Sequence, residues 1–154
     1  MSETKAALRA AILARLEEEL AVILAGAESS RQEATDSENR QEGQYDMRAQ
    51  MAAYLATGQT KIAAELNAAL AAYRSLPVDA LPAGAAAAVG ALVTVDTQGK
   101  SARYFLGPLR GGLEVAVGSE RVTVITPSSP LGRQLLGKRS GEPLSPGRTL
   151  ARVE

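Results

Sequence analysis

Thr35-Asp36-Ser37-Glu38-Asn39-Arg40-Gln41-Glu42-Gly43 is a short acidic stretch between two long segments of helix-forming residues. Upstream, Leu8, Ile12, Leu16, Leu20, Ile23 and Leu24 recur at helical intervals, which places them on one face of a helix. Downstream, Met47, Met51, Leu55, Ile62, Leu66, Leu70 and Tyr73 form a second apolar stripe. Two helices of matched length joined by a short turn are most simply antiparallel neighbours. The spacing therefore predicts a helical hairpin over residues 1–77, a coiled coil with an acidic tip near residues 35–43.

Local signals set the expected boundaries. Thr4 suits the N-cap of the first helix. The stripe fades after Ala27, so a helix from Lys5 to Glu33 is expected. At about 1.5 Å per residue it would be roughly 40 Å long. The second helix should begin near Gly43–Tyr45 and run to Leu76, with Pro77 ending it. Gly58 interrupts that helix at a cost of about 1 kcal/mol relative to Ala, which suggests a close helix–helix approach there.

The character of the chain changes over residues 78–90, where Pro82, Gly84, Gly90 and a run of alanines read as a linker. Short Val-rich segments follow at Ala91 to Val95, Arg103 to Leu106, Leu113 to Val117 and Arg121 to Thr126, as strands are composed. Gly118-Ser119 reads as a tight hairpin turn. A last strand is expected within Arg148 to Val153. Between these lies one short helix in Ser129-Pro130-Leu131-Gly132-Arg133-Gln134-Leu135-Leu136-Gly137-Lys138. Ser129 can cap it, Pro130 suits its first position, and Gly137 can close it in the left-handed conformation. The expected class is α+β: a helical hairpin followed by a small antiparallel β domain, residues 91–154, with one short helix.

Composition narrows the chemistry. Cysteine and histidine are both absent. Disulfides, thiolate metal sites and imidazole bases are excluded, so any chemistry must use carboxylates, Lys, Tyr or hydroxyls. The net charge is zero, yet residues 1–76 carry −3 and residues 77–154 carry +3. Neither half has the concentrated basic patch of a dedicated nucleic-acid binder, so sequence-specific DNA binding is not expected. The longest uncharged run, Ala83 to Val95, falls short of the about 20 apolar residues of a membrane span. No signal-type apolar core follows Met1, and an intracellular, cytoplasmic protein is expected. Gly107-Pro108-Leu109-Arg110-Gly111-Gly112 lacks the Lys-Ser/Thr ending of a phosphate-binding loop and reads as a connection between strands.

Taken together, the hairpin with an acidic tip, the Pro/Gly linker and the sheet domain resemble the bacterial Gre-type transcript-cleavage factors. The most specific stretch is Val124 through Lys138, which is similar to the family's Ser-Pro-x-x-x-Ala-Leu-x-Gly-Lys segment, with Gln134 where Ala is usual. The segment around Tyr45 resembles the acidic Glu-Asn-x-x-Tyr stretch that opens the family's second helix. The resemblance implies a coiled coil followed by an FKBP-like domain, docked in the secondary channel of bacterial RNA polymerase. It implies an accessory factor rather than an enzyme: the polymerase's own active site cuts backtracked RNA.

On the same resemblance, Asp36, Glu38 and Glu42 are candidate accessory Mg²⁺ ligands at the tip. The ion would be shared with the polymerase, with no metal or other cofactor held tightly by the free protein. Arg31, Arg40, Tyr45 and Arg48 would lie near the RNA 3′ end or the channel wall, and Ser129 and Pro130 at the polymerase rim. The tip departs from the family's Asp-Leu-x-Glu-Asn-Ala-Glu-Tyr pattern, and no register keeps all of it. A channel-docked modulator or inhibitor that does not stimulate cleavage is therefore the alternative. By composition alone, the tip acids read as a solvated loop and the arginines as balancing charges, while Tyr45 reads equally as packing between the helices. A free-standing coiled-coil interaction protein remains a third reading.

Overall fold

The computed structural model describes residues 3–38 and 43–154. Helix α1 spans Glu3–Glu38 and α2 spans Gly43–Ser75. Strands β1 (Leu92–Thr97), β2 (Lys100–Leu106), β3 (Glu114–Val117) and β4 (Glu120–Ile125) follow. Helix α3 (Pro130–Leu135) then precedes β5 (Pro143–Leu144) and β6 (Arg148–Val153). The chain divides into two compact units, Met1–Arg15 with Ala71–Glu154, and Leu16–Leu70.

In the unit Leu16–Leu70, the two helices are joined through residues 39–42 and run antiparallel. Leu16, Ala63, Leu66, Ala69 and Leu70 are buried there. The buried stripe of α2 is thus built on Ala63 and Ala69 as well as the leucines. Ile62, expected in the stripe, is 45% exposed instead. It precedes Ala63 by one position, which turns it about 100° away from that face. The close approach also falls elsewhere than expected. A Cβ at Gly58 would meet nothing within 4 Å, whereas one at Gly26 would lie 2.8 Å from Gln59 Nε2. Gly26 on α1 therefore makes room for the Gln59 side chain of α2. Helix α1 also continues past the expected Glu33, through Asp36, to Glu38.

The other unit is built on a six-stranded sheet in the order β3-β4-β2-β1-β6-β5. Its pairs are antiparallel except β2 with β4, where Arg103 pairs with Val122 and Leu106 with Ile125 in parallel. The turn from β1 to β2 puts Gln98 and Gly99 at φ 50° and 82°. Two successive positive φ values match the right-handed twist of a tight hairpin. The Gly118-Ser119 turn joins β3 to β4 as expected, with Gly118 at φ 62°. Strand β5 is only two residues long, below what a sequence pattern can reveal.

One face of this sheet buries Val93, Val95, Leu106, Ile125 and Leu150 with Leu135 of α3 and Leu144. Residues 78–90, read as a linker, are tied into this unit. Ala87 N donates to Lys138 O at 2.7 Å, and Gly137 N donates to Ala87 O at 2.8 Å. Gly90 N reaches Leu106 O at 2.7 Å, and Ala87 itself is buried.

The ends of the long helices are fastened by polar groups. Lys5 Nζ, on a residue only 1% exposed, donates to Asp79 O at 2.9 Å. Burial lowers the Lys5 pKa, and Asp79 and Glu154 pull it back up. Arg9 Nη1 donates to Leu76 O at 2.8 Å, just beyond the end of α2. Tyr73 is fully buried and its hydroxyl donates to Leu109 O at 2.5 Å. That ring closes on Gly107, where a Cβ would sit 2.1 Å from the Tyr73 oxygen. The Gly107–Gly112 loop, expected only to connect strands, thus also receives the end of α2.

Candidate functional site

The sequence candidates fall in two places, the connection between α1 and α2 and the start of α3. Arg40 and Glu42 lie outside the described residues. Arg31, Asp36 and Glu38 belong to α1, and Tyr45 and Arg48 to α2; their side chains are outside the described set. The backbone still constrains the acids. Asp36 and Glu38 are in the last turn of α1, which carries no basic residue. Negative charge at a helix C-terminus opposes the helix dipole. A dipole-stabilising role, plausible for acids at a helix start, therefore does not account for these two.

The side chains of these two acids lie outside the described set, so their suitability for a shared Mg²⁺ is a matter of chemistry: Mg²⁺ keeps several waters and needs one or two carboxylates. Among the described residues, no group of three or more acids is placed to hold a metal ion.

The start of α3 is built as the sequence signals require. Ser129 is the N-cap, in extended conformation at φ −71° and ψ 156°. Its Oγ accepts from Gly132 N at 3.0 Å and donates to Thr126 O at 2.7 Å. Ser129 N donates to the same carbonyl at 3.0 Å. Pro130 occupies the first helical position and is exposed. Gly137 takes φ 80°, the left-handed closure expected of it. One requirement escaped the sequence reading. A Cβ at Gly132 would lie 1.9 Å from Thr126 O, so only glycine fits where the helix turns back on the end of β4.

Flanking residues complete the segment. Arg133 Nε donates to Ser128 O at 2.9 Å. Gln134 Oε1 accepts from Ser145 N at 2.9 Å, tying α3 to the turn before β6. That bond gives a structural reason for Gln134, which Ala could not supply. Leu135 is buried in the sheet core, whereas Leu136 is 41% exposed. The surface around Ser129 and Pro130 is thus a rigid, capped helix start. It has no titratable pair within it and is suited to contact rather than to bond-making.

An aromatic-lined binding pocket is not formed by the two aromatics of the sheet. Phe105 is fully buried and Tyr104 packs against the core. No helix among the described residues is long and apolar enough to cross a membrane.

No family model matches this chain. No curated protein matches it either. Among solved structures, the crystal structure of GreA factor homolog 1 (Gfh1) of Thermus thermophilus matches with a TM-score of 0.34 and 14% identity. The match covers 92% of this chain and 94% of that one. Similarity at this level transfers no residue role and no partner.

Proposed function

We propose that this chain is a Gre-like accessory factor of bacterial RNA polymerase. It docks in the secondary channel and stimulates cleavage of backtracked RNA with a carboxylate of the α1–α2 connection. The observation that carries this reading is the placing of Asp36 and Glu38 at the C-terminal end of α1, against the helix dipole, in a chain whose sheet unit presents the Ser129-capped helix. Helix stability alone would not put acids there. The polymerase supplies the cleavage chemistry and the Mg²⁺; the chain supplies one negative oxygen ligand and a position for it. Glu42 is a further candidate accessory ligand of that Mg²⁺; Arg31, Arg40, Tyr45 and Arg48 serve near the RNA 3′ end or the channel wall, and Ser129 with Pro130 at the polymerase rim.

The test uses halted, backtracked elongation complexes, with RNA 3′ ends resolved on a gel. Transcripts shorten with the native chain. Asp36→Ala and Glu38→Ala should each weaken or abolish that shortening. Failure of the chain to capture polymerase would sink the whole reading. A second reading rests on the tip's departure from the family pattern: docking in the same channel with no cleavage. Polymerase binding without shortening, accompanied by altered elongation, would establish that reading in place of the first.

A further inference from the structure

Thr97 on β1 lies opposite both Lys100 on β2 and Arg148 on β6. Residues directly opposite in antiparallel strands share a face, so these three side chains arise on one side of the sheet. Val95, two residues earlier on β1, and Leu150, two residues after Arg148, belong to the core shared with α3, which identifies the side. Arg121 on β4 is on the same side, because side chains alternate along a strand and Ile125, four residues on, is in that core. The order β4-β2-β1-β6 then sets Arg121, Lys100, Thr97 and Arg148 in a line across four strands. At about 4.8 Å per strand step the line is about 14 Å long. Its three cations are far apart in the sequence and form no basic run there.

This line is both charged and open. Lys100 and Arg121 are exposed, and Arg148 is half-buried. Among the described residues, none of the three side chains has a hydrogen bond or ion pair. Glu114 is the one acid among the strand residues of this face, and it stands beyond Arg121 on the edge strand, opposite Thr123. The other face differs: Arg103 and Arg152 arise there, both opposite Thr94, and are paired with Glu120 and Glu154. The core shared with α3 takes in Val95, Leu106 and Ile125 but stops short of the start of β2 and β4. Ala102 on β2 and Ala116, opposite Arg121 on β3, are consequently exposed. Half-buried Tyr104 lies on the same face, opposite Val93 and Thr123.

We propose that this face binds a single strand of nucleic acid without regard to sequence, with Lys100, Arg121 and Arg148 on its phosphates and Tyr104 against a base. A lone phosphate or carboxylate would engage one or two of these cations. A line of about 14 Å with no acid within it is matched instead by a polyanion that carries charges in succession. The alanines leave a shallow floor on which unpaired bases can lie. Every base has a π-face for the Tyr104 ring and the Arg121 guanidinium, so the contact is tolerant of sequence. A duplex would present its phosphates only, and an acidic peptide would match the charge without the stacking. This surface is independent of the polymerase reading, because the free chain binds the strand by itself.

Fluorescence anisotropy of a labelled single-stranded RNA of about twelve nucleotides, titrated with the full chain, tests it. The RNA binds, and between about 50 and 200 mM salt the slope of log affinity against log salt is about −2, for three phosphates at about −0.7 each. Lys100→Gln, Arg121→Gln and Arg148→Gln each weaken binding several-fold and bring the slope about 0.7 closer to zero. Their melting temperatures stay unchanged, since none of the three has a partner to lose. Tyr104→Leu, which keeps an apolar side chain against the core, weakens binding about tenfold and leaves the slope alone. Arg152→Gln, on the other face, leaves binding unchanged. Single-stranded DNA binds within a few-fold of RNA, because phosphates and stacking are common to both. The proposal is overturned if the RNA does not bind at the lower salt, or if Arg152→Gln weakens it as much as Arg121→Gln. A duplex of the same sequence that binds as tightly overturns the single-strand assignment. Polyglutamate that displaces the RNA at equal charge overturns nucleic acid as the occupant in favour of an acidic protein.

Discussion

The unit Leu16–Leu70 and the sheet unit hold themselves together by different means. Among the residues whose side chains are described, the helical unit buries Leu16, Leu66 and Leu70 with small alanines, while Val22, Leu24 and Ile62 stay 45–67% exposed. The propensity of Ala, Leu and Glu for helix adds to that packing. The sheet unit buries Phe105, Leu92, Leu106, Val122, Val124 and Leu150 completely, and its connections are closed by backbone bonds such as Ala87 to Lys138. Stability within a molecule is not uniform, and the segment with fewer buried apolar groups opens first.

The sharpest way to break this comparison is to remove one large core side chain from each unit. Phe105→Ala should cost about 3–5 kcal/mol, the range for a buried aromatic truncated to Ala. Leu66→Ala should cost only about 2 kcal/mol, near the low end for leucine, because small neighbours such as Ala63 and Ala69 leave the site free to collapse. Denaturant unfolding gives the totals, and hydrogen exchange resolved by segment gives their location. Phe105→Ala should speed exchange across β1, β2 and β4, and Leu66→Ala only within residues 16–70. Equal costs, or a loss of protection spread evenly in both variants, would show the two units to be one cooperative block.

A smaller effect tests how tightly α3 is fitted to the sheet. Gly132→Ala forces a methyl into the Thr126 carbonyl and should cost about 1–3 kcal/mol by overpacking. Ser129→Ala removes the cap and should cost about 1 kcal/mol. If Gly132→Ala were the milder of the two, the close contact between α3 and the end of β4 would be wrong.

These examples also mark what the sequence made legible. The caps of α3, the Gly118-Ser119 turn and both long helices were readable because each is local: a few residues at fixed spacing carry the whole signal. The need for glycine at 132 was not readable, because it comes from Thr126, whose carbonyl returns to that point only after folding. The parallel pairing of β2 with β4 was hidden for the same reason. Ile62 and Ala63 show a third limit, since hydrophobicity ranked Ile62 as core while helix phase chose its smaller neighbour. Asp36 and Glu38 were legible as acids near a tip, but not as members of the last turn of α1. Nothing in the sequence singled out Arg103 with Arg152, which are brought together only by strand order.

Tyr73 gives a pH handle on the sheet unit. Burial pushes its phenol up to about 12, although the Leu109 carbonyl and Arg110 act in the opposite direction. Folding therefore disfavours the ionised form. The stability that this residue contributes is intact below the unfolded value of about 10 and is lost as pH rises through the folded value. Unfolding measured between those limits should fall more steeply for the native chain than for Tyr73→Phe, which keeps the ring and cannot ionise. Parallel slopes would mean that the hydroxyl is not buried against Leu109.

The smallest expected effect separates two glycines in the helical unit. Gly58 is inside α2 with open space where a Cβ would go. Gly58→Ala should therefore stabilise the unit by up to about 1 kcal/mol, through helix propensity and a less flexible unfolded chain. Gly26 is also helical, but its added methyl must push aside the Gln59 side chain. Gly26→Ala gains the same propensity and spends part of it on that displacement, so it should be nearly neutral. Gln59→Ala in the Gly26→Ala background should restore the gain, because the obstruction is a flexible side chain rather than backbone. A loss of stability at Gly58→Ala, or no rescue at Gly26→Ala, would mean that the two helices approach each other at position 58 after all, and that the thin, alanine-lined packing assigned to this unit understates how closely its helices fit.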